Sequence, residues 1–414
     1  MMQNFDFNIN NIKNISLEEK KLREESLELF NKSGFPNKRY EEWKFTDLNK
    51  IISENFNKLE SKTNTNADQE VKLIDSFEHN SIVLVNGFLI SNNFKFEEKD
   101  KVKISNYKDG SFSVDNSNNP LINLNNALSQ GGYFLEIFDN YKFNKPLIVY
   151  NYFSDKLENK IINSKNSIKL NNNSQIEIVE LISDSSKKNF INNNYTNIFV
   201  GENSSFKNFS IQGCISNGFF YKFIKGNIQK KSTYEDYIFS SGLKFNKTDE
   251  EINILGEEGS CTIQSALFLN HNNHNEIKTL INHLKPNCKS YQKIKNVLNE
   301  NCKGAYQGKI FVKDIAQKTD AYQLSKALLL KDSSEFNAKP ELEIYADDVK
   351  CSHGSTSGSM NEDSIYYLMT RGLSRKSAVE LLTKAFLLEV INPISNFEIK
   401  QLVEKNLDRQ IYGH

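Results

Sequence analysis

The middle of this chain, from about residue 80 to about residue 350, is a series of short apolar runs separated by polar residues. Each run is short enough for one strand and is broken by Asn, Ser, Gly or Lys, and long helical patterns are missing between them. The pattern therefore predicts an all-β body of about 250 residues. The runs are SIVLVNGFLI, KVKIS, YFLEIF, KPLIVYNYF, SQIEIVELI, TNIFVG, GNIQ, KIFV and ELEIYA.

Two all-β architectures fit this spacing: a sandwich or barrel built from hairpins, and a parallel β-helix in which each coil contributes short strands. The unbroken length of the series, the scarcity of two-residue hairpin signals and the frequent Asn between runs favour the β-helix. Asn tolerates the left-handed backbone conformation that tight turns between stacked coils require. Because no fixed repeat period can be written down, the pattern alone leaves the sandwich or barrel open.

Helical patterns precede the predicted β body. Residues 15–33 form an amphipathic pattern in which Ser16 and Glu19 make a capping box, and Gly34 ends the helix. A second short helix is predicted over residues 40–48.

The next polar segment, residues 53–72, is rich in Asn, Ser and Lys and is predicted to be a loop or linker. We therefore predict an N-terminal helical region over residues 1–75, a β body over 76–353 and a C-terminal helical domain over 354–414. A helix that interrupts the early strands is predicted from Leu121 to Gln130, because the apolar residues of this segment would share one helix face.

The C-terminal pattern begins with a glycine-rich turn, predicted from Gly354 to Gly358. Ser359 and Glu362 form a capping box for the next helix, and Ser374 begins a longer one. Apolar residues crowd one broad side of that longer helix and of a last helix after it. These stripes either pack on the β body and on each other or form a groove for a partner.

The charge balance argues against nucleic-acid binding, because 52 Lys and Arg residues match 52 Asp and Glu residues. Five Cys residues without a C-x-x-C pair suggest neither a disulfide framework nor a zinc ribbon, and reduced thiols in a cytoplasm are the simplest account. We expect a soluble, cytoplasmic protein without a membrane segment, because no signal-peptide pattern or long apolar run occurs.

Cys351 and His353 are the most informative pair of potential metal ligands. In an extended backbone, residues two apart point to the same side and could reach a shared ion or the same subunit interface. The alternative is that Cys351 is a small core residue and that His353 makes a hydrogen bond at a strand end. A single C-x-H supplies too few ligands for a closed site.

Other potential metal and nucleotide motifs carry less weight. His271, His274, His283 and Cys288 fall within eighteen residues, but they lack the H-E-x-x-H arrangement, and structural hydrogen bonds are the favoured interpretation. Neither G-x-x-x-x-G-K-[ST] nor G-x-G-x-x-G occurs, so we expect no direct ATP binding.

An enzyme acting on a carbohydrate-like substrate is the alternative function for a cytoplasmic β-helix protein, because paired carboxylates could perform acid/base chemistry. Asp347 and Asp348 are adjacent, so in a strand they would face opposite sides. Asp314 and Asp320 lie in surface-like contexts. We therefore interpret these carboxylates as solvated or turn-capping groups.

Several segments resemble the SufD branch of the SufB/SufD family, which are scaffold subunits of the SUF iron–sulfur cluster assembly system. They occur in the order of that family, and the resemblance covers nearly the whole chain from about residue 15. The segments are GFPNKRYEEWKFTDL (34–48), HLKPNCKSYQ (283–292), YQGKIFV (306–312), QKTDAYQLSKALLL (317–330), ADDVKCSHGSTSG (346–358) and YYLMTRGLSRKSAVELLTKAF (366–386).

The resemblance implies a right-handed parallel β-helix core flanked by α-helical regions, and a non-catalytic role. It implies a heterodimer with the paralogue SufB, at whose interface a transient iron–sulfur cluster is built. His353 matches the histidine that this branch contributes as a candidate cluster or iron ligand, and Cys351 is a weaker candidate. SufB has a cluster-ligating cysteine at the position of His353, so this residue favours the SufD branch.

The resemblance also implies a second partner, the ABC-type ATPase SufC, which would supply the ATP hydrolysis. The helical segment 361–390 matches the region through which family members contact SufC. A homodimer is a further expectation when the chain is isolated from SufB. The candidate SufC-binding residues are Tyr366, Tyr367, Arg371 and Leu373.

Overall fold

The computed structural model describes residues 4–61, 71–107, 117–184, 187–213 and 215–413. In these residues, 21 strands and six α-helices form two facing sheets with helices at both ends of the chain. The helices are α1 (Leu17–Ser33), α2 (Leu48–Asn55), α3 (Pro120–Leu128), α4 (Glu362–Thr370), α5 (Arg375–Ile391) and α6 (Phe397–Tyr412).

The first sheet contains eleven described strands. They are β1 (Asn4–Asp6), β2 (Lys58–Ser61), β5 (Val102–Asn106), β6 (Tyr133–Ile137), β8 (Lys160–Leu170), β10 (Phe190–Val200), β12 (Ser216–Ile228), β14 (Leu243–Ile254), β16 (His274–His283), β18 (Lys303–Val312) and β20 (Glu335–Ile344).

The second sheet contains ten described strands. They are β3 (Asn80–Val85), β4 (Phe88–Asn93), β7 (Leu147–Phe153), β9 (Gln175–Asp184), β11 (Ser205–Gln212), β13 (Thr233–Ser240), β15 (Ser260–Leu269), β17 (Lys289–Leu298), β19 (Asp320–Leu329) and β21 (Lys350–Ser359).

From β7 onward, successive strands alternate between the two sheets, and each strand pairs in parallel with the strand two places further along the chain. Each coil of the chain therefore adds one strand to each sheet, which confirms the predicted parallel β-helix and excludes a hairpin sandwich. The inward side chains of stacked coils form a continuous apolar interior, with Ile178, Ile252 and Ile281 fully buried.

The coils vary in length, which explains why no fixed period is visible in the sequence. Thr233 pairs with Ser260, 27 residues further on, whereas Lys289 pairs with Asp320, 31 residues further on. Apart from a shift between Ser216 and Phe219 on β12, the register of the parallel strands is regular and the turns absorb the difference in length. Equivalent positions therefore drift along the sequence while they stay aligned in space.

One set of turns depends on left-handed residues, as the Asn content suggested. Nine of the thirteen non-glycine residues with positive φ in the described chain are Asn. Successive coils use this conformation at the same place, and the backbone N–H of Asn203 donates to the carbonyl of Lys230 in the next coil at 2.9 Å. The N–H of Asn287 donates in the same way to the carbonyl of Gln317 at 2.9 Å.

The N-terminal region covers the outer face of the first sheet. Helix α1 confirms the pattern over residues 15–33, since Ser16 caps it and Gly34 follows it with φ 67°. The buried Arg23 donates to the carbonyl of Ala127 at 2.9 Å and so joins α1 to the end of α3. Buried Trp43 contacts the ring of Tyr221 on β12, with 5.4 Å between centroids.

Two boundary predictions in this region are wrong. The helix predicted over 40–48 is a single 3-10 turn at Glu41–Trp43, and α2 begins only at Leu48, where Asp47 accepts a hydrogen bond from the N–H of Lys50. The segment predicted as a loop over 53–72 contains the end of α2 and strand β2, and residues 62–70 lie outside the described residues. The interrupting helix is confirmed as α3.

The C-terminal helices α5 and α6 pack on the outer face of the second sheet. Their buried residues Leu387, Val390 and Val403 belong to the same apolar cluster as Phe209 and Val297 of the sheet. The apolar stripes of these two helices therefore serve packing on the β body.

A single buried lysine also attaches α5 to the sheet. Lys295 on β17 donates to the carbonyl of Phe386 at 2.9 Å and pairs with Glu389 at 2.5 Å. Its ammonium lies 4.1 Å from the centroid of the Phe386 ring.

The predicted turn from Gly354 to Gly358 is wrong, because strand β21 runs through it to Ser359. Backbone pairing with β19 holds this segment extended, although Gly and Ser have little intrinsic preference for strands. The capping box of Ser359 and Glu362 is also wrong, since Asn361 caps α4 and accepts from the N–H of Ser364 at 2.8 Å. The cap of α5 by Ser374 is confirmed.

Asn203 tests the role of the left-handed turns, because it is exposed and has φ 54°. We expect Asn203→Val to lower the free energy of unfolding by about 1–2 kcal/mol, since a β-branched residue tolerates positive φ poorly. Asn203→Gly is the control and should stay close to wild type in urea-unfolding curves. Equal losses in the two variants would show that the turn does not depend on this backbone conformation.

Candidate functional site

Strand β21 is the last strand of the second sheet, and β20 is the last strand of the first. Among the described residues, the free edge of β21 has no strand paired to it, so the β-helix ends there with both its edge and its interior accessible. Backbone N–H and C=O groups at such an edge are available for pairing with another chain.

His353 lies on β21 in register with Gln323 of β19. Gln323 is buried inside the β-helix, whereas His353 is exposed because no further coil covers it. A Cβ added to the next residue, Gly354, would meet Leu324 at 3.3 Å, so Gly354 belongs to the opposite face of the strand. The imidazole therefore lies on the inward face of the strand at the accessible end.

Cys351 lies on the same face of β21, two residues before His353, as the alternation predicts. It is half-buried and packs against an apolar cluster that includes Ile310 and Val312. Burial raises the pKa of the Cys351 thiol, which favours the neutral form over the thiolate that binds metals. The geometry thus supports a packing role for Cys351.

The end of the β-helix offers an incomplete set of metal ligands. No group of three or more His, Cys, Asp or Glu side chains within the described ranges is arranged to hold a metal ion. One accessible imidazole and one half-buried thiol could contribute to a site only if another molecule supplied the remaining ligands.

The other histidines make structural contacts. The ring of His274 bonds to the hydroxyl of Thr46 at 3.0 Å, and that of His283 bonds to the hydroxyl of Ser290 at 2.9 Å. Burial lowers the pKa of both rings to about 4. His271 is a left-handed turn residue.

The remaining candidate of that group, Cys288, also has a local structural role. Its thiol donates to the carbonyl of Gly256 at 3.3 Å and to that of Pro286 at 3.4 Å. The structure therefore does not assemble Cys288 and the three histidines into one site.

Three of the four candidate acid/base carboxylates belong to turns, and the fourth begins a strand. Asp314 Oδ1 accepts from the N–H of Ile315 at 2.8 Å, and the carbonyl of Asp348 accepts from the N–H of Lys318 at 2.6 Å. Asp347 precedes Asp348 in the turn before β21, and Asp320 is the exposed first residue of β19. None of these contacts joins two of the carboxylates into an acid/base pair.

The candidate partner-binding residues lie on α4 and on the connection to α5. Tyr366 is 71% exposed and Tyr367 is 58% exposed. The guanidinium of Arg371 lies 5.3 Å from the centroid of the Tyr367 ring, and Leu373 is 36% exposed. These four residues form an accessible aromatic, apolar and cationic surface, which we call the α4 surface.

Several charged residues are buried inside and beside the sheets, although no sequence pattern identified them. Lys247 pairs with Asp249 at 3.0 Å and with Glu276 at 2.7 Å, beneath the N-terminal region. Thr46 from that region donates to Glu276 at 2.6 Å. The charges of the segment KFNKTDEEINI are typical of a solvent-exposed segment. Only its position between apolar strand patterns could have suggested that it is buried.

Two family models match most of this chain. Residues 152–386 match the SUF system FeS cluster assembly SufBD core domain, and residues 2–149 match the SufBD protein N-terminal region. The chain therefore belongs to the SufB/SufD family of SUF iron–sulfur cluster assembly proteins.

Relatives that match most of the chain include SufD proteins and another member of the SufBD family. The chain is 23% identical to the iron-sulfur cluster assembly protein SufD of Escherichia coli over 92% of this chain and 90% of the relative. It is 22% identical to SufD of Bacillus subtilis over 77% of this chain and 70% of the relative. A SufBD family protein of Synechocystis is 24% identical over 90% of this chain and 86% of the relative.

Within the part of the chain that the structure describes, no helix is both long enough and apolar enough to cross a bilayer.

The four described cysteines differ in accessibility, and this difference can be measured. Cys261, Cys288 and Cys302 are buried, whereas Cys351 is half-exposed. We expect Cys351→Ala to take up one maleimide label fewer than wild type when the native protein is labelled at mildly alkaline pH. Cys261→Ala is the control and should take up as many labels as wild type, counted by intact mass. Unchanged labelling of Cys351→Ala would contradict the accessibility of this thiol.

Proposed function

We propose that this chain is a non-catalytic scaffold subunit of the SUF assembly complex, in which it pairs with SufB and with the ATPase SufC. Its membership in the SufBD family supports a role in cluster assembly. The observation that carries the finer proposal is the position of His353, exposed on the inward face of the last strand at an unpaired edge.

In this proposal the paralogue SufB covers the end of the β-helix. The free edge of β21 offers backbone groups for pairing, and an iron–sulfur cluster grows transiently between the two chains as their product. His353 contributes an imidazole, and thiolates from SufB complete the set of ligands. Cys351 remains the weaker candidate, because its neutral thiol packs inward against apolar side chains.

The α4 surface is proposed to bind SufC. Tyrosine and arginine are enriched among the residues that contribute most to binding energy at interfaces, and here they are exposed on α4, of which only Ile365 is buried. We propose that ATP hydrolysis belongs to SufC and that its movement is transmitted through α4 and α5 to the β-helix. Pairing with a second copy of the chain would use the same free edge when SufB is absent.

The three-part division into residues 1–75, 76–353 and 354–414 remains a prediction. Limited proteolysis of the isolated chain would test it: cleavage near residues 75 and 353 would support the division, whereas protection of residue 353, which pairs with β19, would argue against the second boundary.

His353→Ala tests the cluster site in the complex formed by co-expression with SufB and SufC. We expect both partners to co-purify as with wild type, and the iron and sulfide bound after reconstitution to fall several-fold, because one ligand is missing. Ser352→Ala is a matched control, since Ser352 is exposed on the opposite face of the same strand.

Two results would contradict the assignment. If the wild-type chain stays monomeric in the presence of SufB and SufC, the scaffold proposal fails. If the His353→Ala complex binds iron and sulfide like wild type, the scaffold role survives and His353 is not a ligand.

A double substitution, Tyr366→Ala with Tyr367→Ala, tests the α4 surface. Loss of two exposed interface tyrosines should cost about 2 kcal/mol of binding free energy, or roughly a thirtyfold loss of affinity for SufC. Binding of SufB should persist. Lys376→Ala on α5 is the control, because its side chain is 83% exposed and lies outside the α4 surface. SufC binding by the double variant that equals wild type would exclude this surface.

A further inference from the structure

Four charged side chains meet inside the β-helix, between the inward faces of the two sheets. Glu180 on β9, Lys222 on β12, Asp236 on β13 and Glu250 on β14 are all largely or fully buried. Lys222 pairs with Glu180 at 2.7 Å. This ion pair leaves Asp236 and Glu250 as two further acids in the same interior.

The groups around the two acids do not balance their charge. Lys222 is the cation that acts on both of them, and Glu180 already neutralises it. The neighbouring titratable groups are acids that burial keeps neutral, because it raises the pKa of each well above its usual value. They are Tyr234 on β13, Cys261 on β15, Tyr306 on β18 and, beside Glu180, Tyr133 on β6. Two ionised carboxylates would therefore leave excess negative charge in a medium that solvates it poorly.

The hydrogen bonds show the same deficit. Asn208 donates to Asp236 Oδ1 at 3.0 Å, and Tyr234 donates to Glu250 Oε2 at 3.2 Å. The other oxygens, Asp236 Oδ2 and Glu250 Oε1, are buried, and no donor from the described residues reaches them. The two carboxyl groups lie within hydrogen-bonding reach of each other. Two carboxylates cannot bond to each other, whereas a carboxylic acid can donate to a carboxylate.

We propose that Asp236 and Glu250 form an internal proton-binding site, which holds one proton between the two carboxyl groups of the folded protein at neutral pH. The shared proton removes one negative charge and supplies the donor that the pair lacks. Burial is the main cause that raises the pKa of Asp236 to about 6 and the pKa of Glu250 well above its usual value.

The site makes the stability of the β-helix sensitive to pH. A carboxyl whose pKa is higher in the folded than in the unfolded chain gives its full stabilisation below the unfolded value, near 4. That stabilisation is lost as the pH rises through the folded value. Since Asp236 lies on the second sheet and Glu250 on the first, loss of the proton places repulsion between the sheets. The protonated pair therefore stabilises the contact between the two sheets, and its deprotonation weakens that contact.

The test compares the unfolding temperature of the full-length protein as a function of pH, from about pH 5 to about pH 8, for wild type, Glu250→Gln and Asp236→Asn. Wild type should lose stability relative to both variants as the pH rises, because an amide donates a hydrogen bond without carrying a titratable proton. The buried His274 and His283 also titrate on the acidic side, and they act equally in all three proteins.

Glu276→Gln is the matched control, because Glu276 is an equally buried carboxylate that is paired with Lys247. The Lys247 partner holds the pKa of Glu276 below its usual value despite the opposing effect of burial. This variant should lose stability at neutral pH and should not flatten the decline on the alkaline side. Parallel curves for wild type, Glu250→Gln and Asp236→Asn would overturn the proposal.

Infrared spectroscopy provides a second readout that does not depend on folding of the variants. Native wild type in heavy water at neutral pH should show the carbonyl band of a protonated carboxyl group, and folded Glu250→Gln should lack that band. Absence of the band in wild type would overturn the proposal even if neither variant folds.

Discussion

The stacking of parallel strands, coil upon coil, is the interaction on which the rest of this structure depends. Every inner coil satisfies its backbone N–H and C=O groups through the coils on both sides, and its inward side chains continue a column that runs through the molecule. The last coil lacks one neighbour. Its final strand β21 therefore has an unpaired edge, and its inward residues reach the surface instead of the interior. The contrast between buried Gln323 and exposed His353, which occupy the same column, follows from this alone.

The two outer faces of the β-helix are covered by different parts of the chain, and these coverings leave some regions exposed. The N-terminal segment seals the first sheet through Trp43 and the buried pair of Lys247 and Glu276. Helices α5 and α6 seal the second sheet, with Lys295 fixing α5 in place. Helix α4 buries only Ile365 and leaves its tyrosines exposed. Among the described residues, the strand edge with its imidazole and the helix with its aromatic rings are therefore accessible regions of different chemistry.

The sequence predicted the architecture, whereas the ligand role of His353 stays a prediction, and particular physical effects account for what the sequence did not reveal. Left-handed Asn residues pointed correctly to tight turns, but coils of unequal length concealed the repeat. The glycine- and serine-rich segment before α4 is a strand because its backbone pairs with β19. The strand propensities of its own residues cannot reveal that pairing. No sequence pattern singled out Glu250 and Lys222 as buried, because charged residues normally lie at the surface. The partner of Lys222, Glu180, lies 42 residues away on another coil, and a local pattern cannot reveal a partner at that distance.

Polar groups inside the β-helix limit how the apolar column can stabilise it. A solenoid with Ile and Val at every inward position would need no internal partners, whereas this one places four charged residues between its sheets. Replacing Lys222 or Glu180 would leave the other buried without compensation, so this ion pair constrains the strands that carry it. Because β9, β12, β13 and β14 belong to three consecutive coils, an event that changes the charge of one member acts on the stacking of all three. The same coil-to-coil pairing that exposes His353 at the end therefore makes the interior responsive to protonation.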